Sequence, residues 1–71
     1  MSEYVIVIEM TRTGYSADVL DLPGCITTGG TLEETKHNIG EAIDFHLDSM
    51  RRDGDPIPPP TIAVAEYDAV A

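Results

Sequence analysis

The sequence predicts an α+β fold in which an antiparallel sheet carries one helix on one face, in the order β-β-β-α-β. Residues 4–28 contain three short segments rich in β-branched and aromatic side chains, separated by turns that contain glycine. Residues 32–53 carry apolar side chains at steps of three and four, which is the period of a helix. The change from one period to the other falls within residues 21–34, and this stretch therefore sets the architecture.

The first two strands are predicted at residues 4–10 and 15–20, joined by a hairpin in which Gly14 can take a positive φ. Both faces of the first strand are largely apolar, which is typical of a central strand covered on both sides. One helix covers only one face of a sheet. We therefore expect the first strand to lie at or beside a contact between subunits.

A turn and a short third strand come next. Leu22, Pro23 and Gly24 suit a type II turn, because proline fixes φ at the second position and glycine supplies the positive φ needed at the third. The third strand is predicted at residues 25–28 and ends at Gly29.

The helix is predicted at residues 32–53, with start and stop signals at both ends. Thr31 and Glu34 form a capping box, in which the threonine hydroxyl accepts from a helical amide and the glutamate returns to the cap amide. Gly54 caps the C-terminus, and Gly40 inside the apolar stripe indicates a close approach to the sheet. The stripe consists of Leu32, Thr35, Ile39, Ala42, Ile43, Leu47 and Met50.

The C-terminal part is predicted to contain a connector and a last strand. Residues 55–60 include four prolines, which favour a stiff, extended conformation. Residues 61–66 predict a strand that pairs back near the first one, and residues 67–71 predict a frayed tail.

Length and charge restrict the possible functions. Seventy-one residues make a single domain, and a core of this size rarely supplies more than about 3–5 kcal/mol of net stability. With one cysteine and no recognisable zinc site, we expect assembly into a homodimer or homotetramer. Thirteen acidic and four basic residues give a net charge of −9, which disfavours direct nucleic-acid binding and favours a basic protein partner. No membrane-spanning or signal segment is predicted, and we expect a cytoplasmic protein without a cofactor.

The cysteine and the two histidines are interpreted as structural. Cys25 could be a nucleophile, but no histidine lies close in sequence to activate it, and a small buried apolar residue is the preferred interpretation. His37 and His46 are nine residues apart and lie on opposite sides of the helix, so they cannot bind one metal together. His37 is expected to pair with Glu41 on the surface.

The carboxylates allow two interpretations. Clustered acids could hold two magnesium ions for phosphodiester cleavage. The part of the sequence that precedes the helix contains Glu9, Asp18 and Asp21 as candidates. The preferred interpretation is a solvated acidic surface. On the helix, three acids recur at steps of three and four and form one ridge, whose self-repulsion a basic partner would relieve. The ridge consists of Glu41, Asp44 and Asp48. The residues alone therefore favour a binding module over an enzyme.

The chain resembles the HicB antitoxin family from about residue 3 to residue 64. The resemblance rests on the stretch Asp21-Leu22-Pro23-Gly24-Cys25, followed by Gly29 and the helix start Thr31-Leu32-Glu33-Glu34. Further matching segments are Tyr4-Val5-Ile6-Val7-Ile8-Glu9, Gly14-Tyr15-Ser16-Ala17, Asn38, Glu41-Ala42-Ile43, Gly54, Ile57-Pro58 and Pro60. Gly30 and Thr35 depart from the family pattern without breaking the helix start.

The resemblance implies a partial ribonuclease-H-like fold without working catalytic acids. It also implies a role in binding and blocking HicA, a small basic toxin that cleaves mRNA. Many members carry an additional DNA-binding domain, which we do not expect in residues 1–71. Two alternatives remain: a stand-alone oligomeric accessory domain without a toxin partner, and a residual metal-dependent nuclease.

Overall fold

The computed structural model describes residues 3–70 as a three-stranded sheet and one helix. The strands are β1 (Ile6–Met10), β2 (Tyr15–Val19) and β3 (Ile26–Gly29), and the helix is α1 (Leu32–Asp53). Both strand pairs are antiparallel, and the spatial order is β1-β2-β3. This confirms the α+β class and the single helix.

The central strand of the sheet is β2, so the prediction that the first strand is central is wrong. Short turns make consecutive strands neighbours, and a three-stranded meander therefore places its second strand in the middle. β1 pairs with β2 alone, with Ile6 opposite Val19 and Met10 opposite Tyr15. Within residues 3–70, the other edge of β1 has no strand partner.

The helix packs on β2 and β3 and has no direct backbone-level contact with β1. Ala17 and Val19 point from β2 into this contact and are fully buried, whereas Asp18, between them, points to the bare face of the sheet. The buried apolar core consists of Ala17, Val19, Leu22, Cys25 and Ile39. Tyr4, Ile8, Ala42, Ile43 and Leu47 pack around it half-buried.

The predicted last strand at residues 61–66 is absent from the described residues, and this prediction is corrected. The prolines of the connector cannot donate ladder hydrogen bonds and keep it extended. The Tyr4 hydroxyl donates to the Pro58 carbonyl, and Thr61 is bound by Asp21. Beyond these contacts the segment does not pack back on the sheet, because residues 63–70 are all exposed. Ala71, the end of the predicted tail, lies outside the described residues.

The predictions for Gly14 and Gly40 are both wrong. Gly14 does not have a positive φ. Instead, a Cβ at this position would lie 3.0 Å from the Gly30 Cα, so Gly14 is needed where the hairpin approaches the end of β3. Gly40 was expected to approach the sheet, but an added Cβ there would meet no heavy atom within 4 Å. The close approach of helix to sheet occurs at Gly29, where a Cβ would lie 2.8 Å from the Thr35 nitrogen.

Candidate partner-binding site

The stretch Asp21-Leu22-Pro23-Gly24-Cys25 serves the fold. Gly24 has a φ of 85°, and the Cys25 amide donates to the Leu22 carbonyl at 3.0 Å, which confirms a turn with positive φ at its third position. The Val19 amide donates to the Cys25 carbonyl at 3.1 Å and closes the loop. Leu22 is fully buried and is one of the largest core side chains, which the turn pattern alone did not indicate.

Cys25 has the environment of a structural cysteine. Its side chain is buried. Burial raises the pKa of the Cys25 thiol, and the negative charge of Asp18 raises this pKa further. The thiol is therefore neutral at physiological pH, and a neutral thiol is a poor nucleophile. This agrees with the preferred interpretation.

Asp21 binds the beginning of the C-terminal segment, a contact that sequence reasoning missed. The Thr61 amide donates to Oδ2 of Asp21 at 2.9 Å, and the Thr61 hydroxyl donates to Oδ1. These hydrogen bonds favour the charged carboxylate and lower the pKa of Asp21. No local pattern could have revealed the pair, because the two residues are 40 positions apart.

The helix start uses Thr31, Glu34 and Thr35 for structural purposes. The Glu34 amide donates to Oγ1 of Thr31 at 3.1 Å, as expected for a cap. The Glu34 carboxylate accepts from the Gly30 amide at 3.1 Å, one residue before the Thr31 amide that was predicted as the donor. Thr35 is fully buried, and its hydroxyl donates to the Thr31 carbonyl at 2.8 Å. The departure from the family pattern at Thr35 therefore leaves no polar atom unsatisfied.

The three acids of the helix ridge lie on the outward side of α1, away from the core. All three are exposed. Glu41 lies 2.9 Å from Nε2 of His37, which confirms the expected pair, and Asp48 lies 3.6 Å from Arg52. Both contacts are exposed and therefore contribute little to stability.

Phe45 lies beside this ridge and was missed by sequence reasoning. Its side chain is 71% exposed, although phenylalanine is usually buried. It follows Glu41 by four positions and precedes Asp48 by three, so both acids flank it on the helix surface. We call Glu41, Asp44, Phe45 and Asp48 the Phe45 patch. The available signal was a single aromatic residue outside the apolar stripe.

The carboxylates proposed for a nuclease do not come together. Glu9 and Asp18 lie on the bare face of the sheet, whereas the ridge lies on the outer side of the helix that covers the other face. Asp21 is engaged by Thr61. Among residues 3–70, no three histidine, cysteine, aspartate or glutamate side chains are grouped for metal binding. The geometry gives the two-metal alternative no support.

The family model for the HicB-like antitoxin of bacterial toxin–antitoxin systems matches residues 4–70. The chain belongs to this family. The HicB-like resemblance of the turn and the helix start is thereby confirmed. The structure places those residues in the core, the turn and the cap, so they maintain the HicB-like fold.

Curated relatives of this HicB-like chain come from phage, archaea and bacteria. It is 44% identical over 55 residues to the 14.9 kDa protein of the rep-hol intergenic region of Haemophilus phage HP1, covering 78% of this chain but 41% of that protein. It is 37% identical over 57 residues to a UPF0150 protein of Thermoplasma acidophilum, covering 79% of this chain and 83% of the relative. A Helicobacter pylori UPF0150 protein is 43% identical over 47 residues, covering 66% of this chain and 65% of the relative.

A solved structure supports the same family. The fold matches a chain of the HicA3 and HicB3 toxin–antitoxin complex with a TM-score of 0.71 and 32% sequence identity. The match covers 83% of this chain and 70% of that chain. The HicB-like architecture is therefore supported independently of the family model. Separately, no helix within residues 3–70 is both long and apolar enough to cross a membrane.

Proposed function

We propose that this chain is an antitoxin that binds a small basic HicA-type toxin and blocks its cleavage of mRNA. The observation that carries the proposal is the match to a chain of the HicA3 and HicB3 complex, together with membership of the antitoxin family. Such a role is non-enzymatic, needs no cofactor and places the chain in the cytoplasm, where mRNA is found.

The net charge of −9 supports a basic partner. Opposite charges accelerate the encounter of two proteins and disfavour partners of the wrong charge. The antitoxin itself makes no contact with RNA in this mechanism. It acts by covering the surface with which the toxin would bind RNA.

The Phe45 patch supports a location for the contact. Energetically important residues at protein interfaces are often aromatic and lie inside a polar rim that excludes water. Phe45 provides an exposed aromatic ring, and Glu41, Asp44 and Asp48 provide a charged rim beside it. None of the four side chains belongs to the buried core, so binding there does not require the domain to open.

The test is to co-express the chain with the product of the neighbouring short basic reading frame and to measure growth and binding. We expect growth rescue and a complex that weakens as salt concentration rises. Phe45→Ala should weaken binding at least tenfold while the circular dichroism spectrum stays unchanged. Ile26→Ala is the matched control, because Ile26 is an exposed apolar residue on the bare sheet face.

The outcomes separate the proposal from its alternatives. Growth rescue with equal affinities for Phe45→Ala and the control would keep the antitoxin role and move the contact away from α1. No complex at low salt with any neighbouring basic product would reject the antitoxin role and favour an accessory domain without a toxin partner.

A further inference from the structure

The outer edge of β1 is an unpaired strand edge. β1 pairs with β2 alone, and no other strand lies beside it among residues 3–70. Its first three residues, Ile6, Val7 and Ile8, are β-branched and uncharged. Proteins commonly protect such an edge with proline, lysine, a bulge or a covering segment, because it can pair with another chain. The strand Ile6–Met10 contains no proline or lysine, and α1 does not cover it.

The chain also contains an unpaired segment suited to strand pairing, residues 61–66, which we call the arm. Ile62 and Val64 alternate with small residues, as in a strand with one apolar face. Thr61 is fixed by Asp21, but Val64 is 71% exposed and Tyr67, just beyond the arm, is 91% exposed. The radius of gyration is 14.0 Å, whereas a compact domain of this length has about 11 Å. The C-terminal segment and the long helix therefore extend beyond the core.

The arm and the edge match in position and length. Asp21 lies just past the end of β2, where Val19 pairs with Ile6, so the arm starts near the Ile6 end of β1. Six extended residues span about 20 Å and the five residues of β1 about 17 Å. The arm of this chain nevertheless leaves its own β1 edge unpaired.

We propose that the arm of one chain pairs with the β1 edge of a second copy, and that reciprocal exchange forms a two-fold symmetric dimer. The arm is held near the Ile6 end of its own β1 by the Asp21–Thr61 contact but does not pair with that edge, which leaves the edge of a second copy available as its partner. The β1 edges of both copies become paired. The added strands also cover part of the apolar surface of β1. This inference does not depend on the toxin-binding proposal, since α1 and the Phe45 patch do not take part.

The first test compares the mass of the full chain in solution with that of the variant Ala63→Pro/Ala65→Pro. Proline has no amide hydrogen, so the two substitutions remove the hydrogen-bond donors at positions 63 and 65, which lie on the same edge of an extended arm. This prevents strand pairing along that edge. We expect the full chain to have the mass of a dimer at tens of micromolar and the variant to have the mass of a monomer. Ala69→Pro is the matched control and should remain a dimer. The helical circular dichroism signal should be the same in all three, because the arm belongs to no element of the single chain.

The second test distinguishes exchange from pairing within one chain. In an equal mixture of isotope-labelled and unlabelled chains, nuclear Overhauser effects between Val64 methyl groups and Val7 or Ile8 should connect different chains. A monomeric full chain would overturn the inference. A dimer that persists in the double proline variant, or effects confined to single chains, would also overturn it.

Discussion

The carboxylate of Asp21 binds the amide and the hydroxyl of Thr61 and so joins the loop after β2 to the start of the C-terminal segment. The contact spans 40 positions of sequence and fixes where the arm leaves the domain. An aspartate in the turn region that identifies the family thus makes a long-range contact.

This contact should depend on pH. Hydrogen bonds from the Thr61 hydroxyl, and then from the Thr61 and Ile62 amides, lower the pKa of Asp21 below its usual 3.8, and partial burial opposes them. A lowered folded-state pKa means that the contact stabilises the protein above the unfolded-state pKa. This stabilisation is lost as the pH falls through the folded-state value. We expect hydrogen exchange at the Thr61 amide to lose protection below pH 3.8, relative to the intrinsic rate.

Asp21→Asn provides the control for this titration. The asparagine oxygen can still accept one hydrogen bond but carries no charge. Protection of the Thr61 amide should therefore be weaker at neutral pH and should not change between pH 5 and pH 3. An unaltered pH profile in Asp21→Asn would show that another group controls the contact.

Gly29→Ala and Gly40→Ala should have opposite effects on stability. A Cβ at Gly29 would lie 2.8 Å from the backbone nitrogen of the buried Thr35, which cannot move without shifting the helix. We expect the free energy of unfolding to fall by about 1–3 kcal/mol. Gly40 lies inside the helix with open space around it, so alanine should raise this free energy by about 0.5–1 kcal/mol. Urea denaturation measures both, and equal effects would contradict the tight helix–sheet contact.

Leu22→Ala should destabilise the domain severely. Leu22 is fully buried, and removing a buried leucine side chain costs about 2–5 kcal/mol. This is comparable to the whole stability expected of a domain of this size. Leu20→Ala is the control, because Leu20 is two residues away and exposed, and should change the free energy of unfolding by less than about 0.5 kcal/mol. Thermal denaturation that shows equal losses would contradict the assignment of Leu22 to the core.

Cys25 should react with thiol reagents only when the domain opens. Its side chain is buried and its thiol pKa is raised, so the reactive thiolate is scarce and inaccessible in the folded state. We expect slow labelling by a disulfide reagent at pH 8 and rapid labelling in urea. Leu22→Ala should accelerate labelling without urea. Rapid labelling of the folded full chain would contradict the structural interpretation.

The local parts of the fold were predictable because their signals are local. Gly24, Thr31 and Gly54 act through φ values and hydrogen bonds within a few residues, and α1 begins and ends at the predicted positions. The edge position of β1 and the absent last strand depend on which segments meet in space. A strand sequence specifies a suitable surface but not its partner, so residues 61–66 carry strand propensity without a strand in the single chain.

The candidate site was predictable to a smaller extent. Helical spacing places Glu41, Asp44 and Asp48 on one side, and all three are exposed as that spacing implies. Phe45 was missed because aromatic residues are expected in the core, and only the packing of α1 on β2 and β3 shows that this ring remains outside. The partner-binding role of these residues stays a prediction.

The two sides of α1 are under different physical constraints. The inner side, with Thr35 and Ile39, is constrained by packing, and few side chains fit there. The outer side carries the Phe45 patch, where substitutions have little effect on stability. The outer side can therefore change in sequence while the scaffold stays the same. Under the proposed toxin-binding role of the Phe45 patch, the choice of partner is set by a few helix positions that are separate from the residues that identify the family.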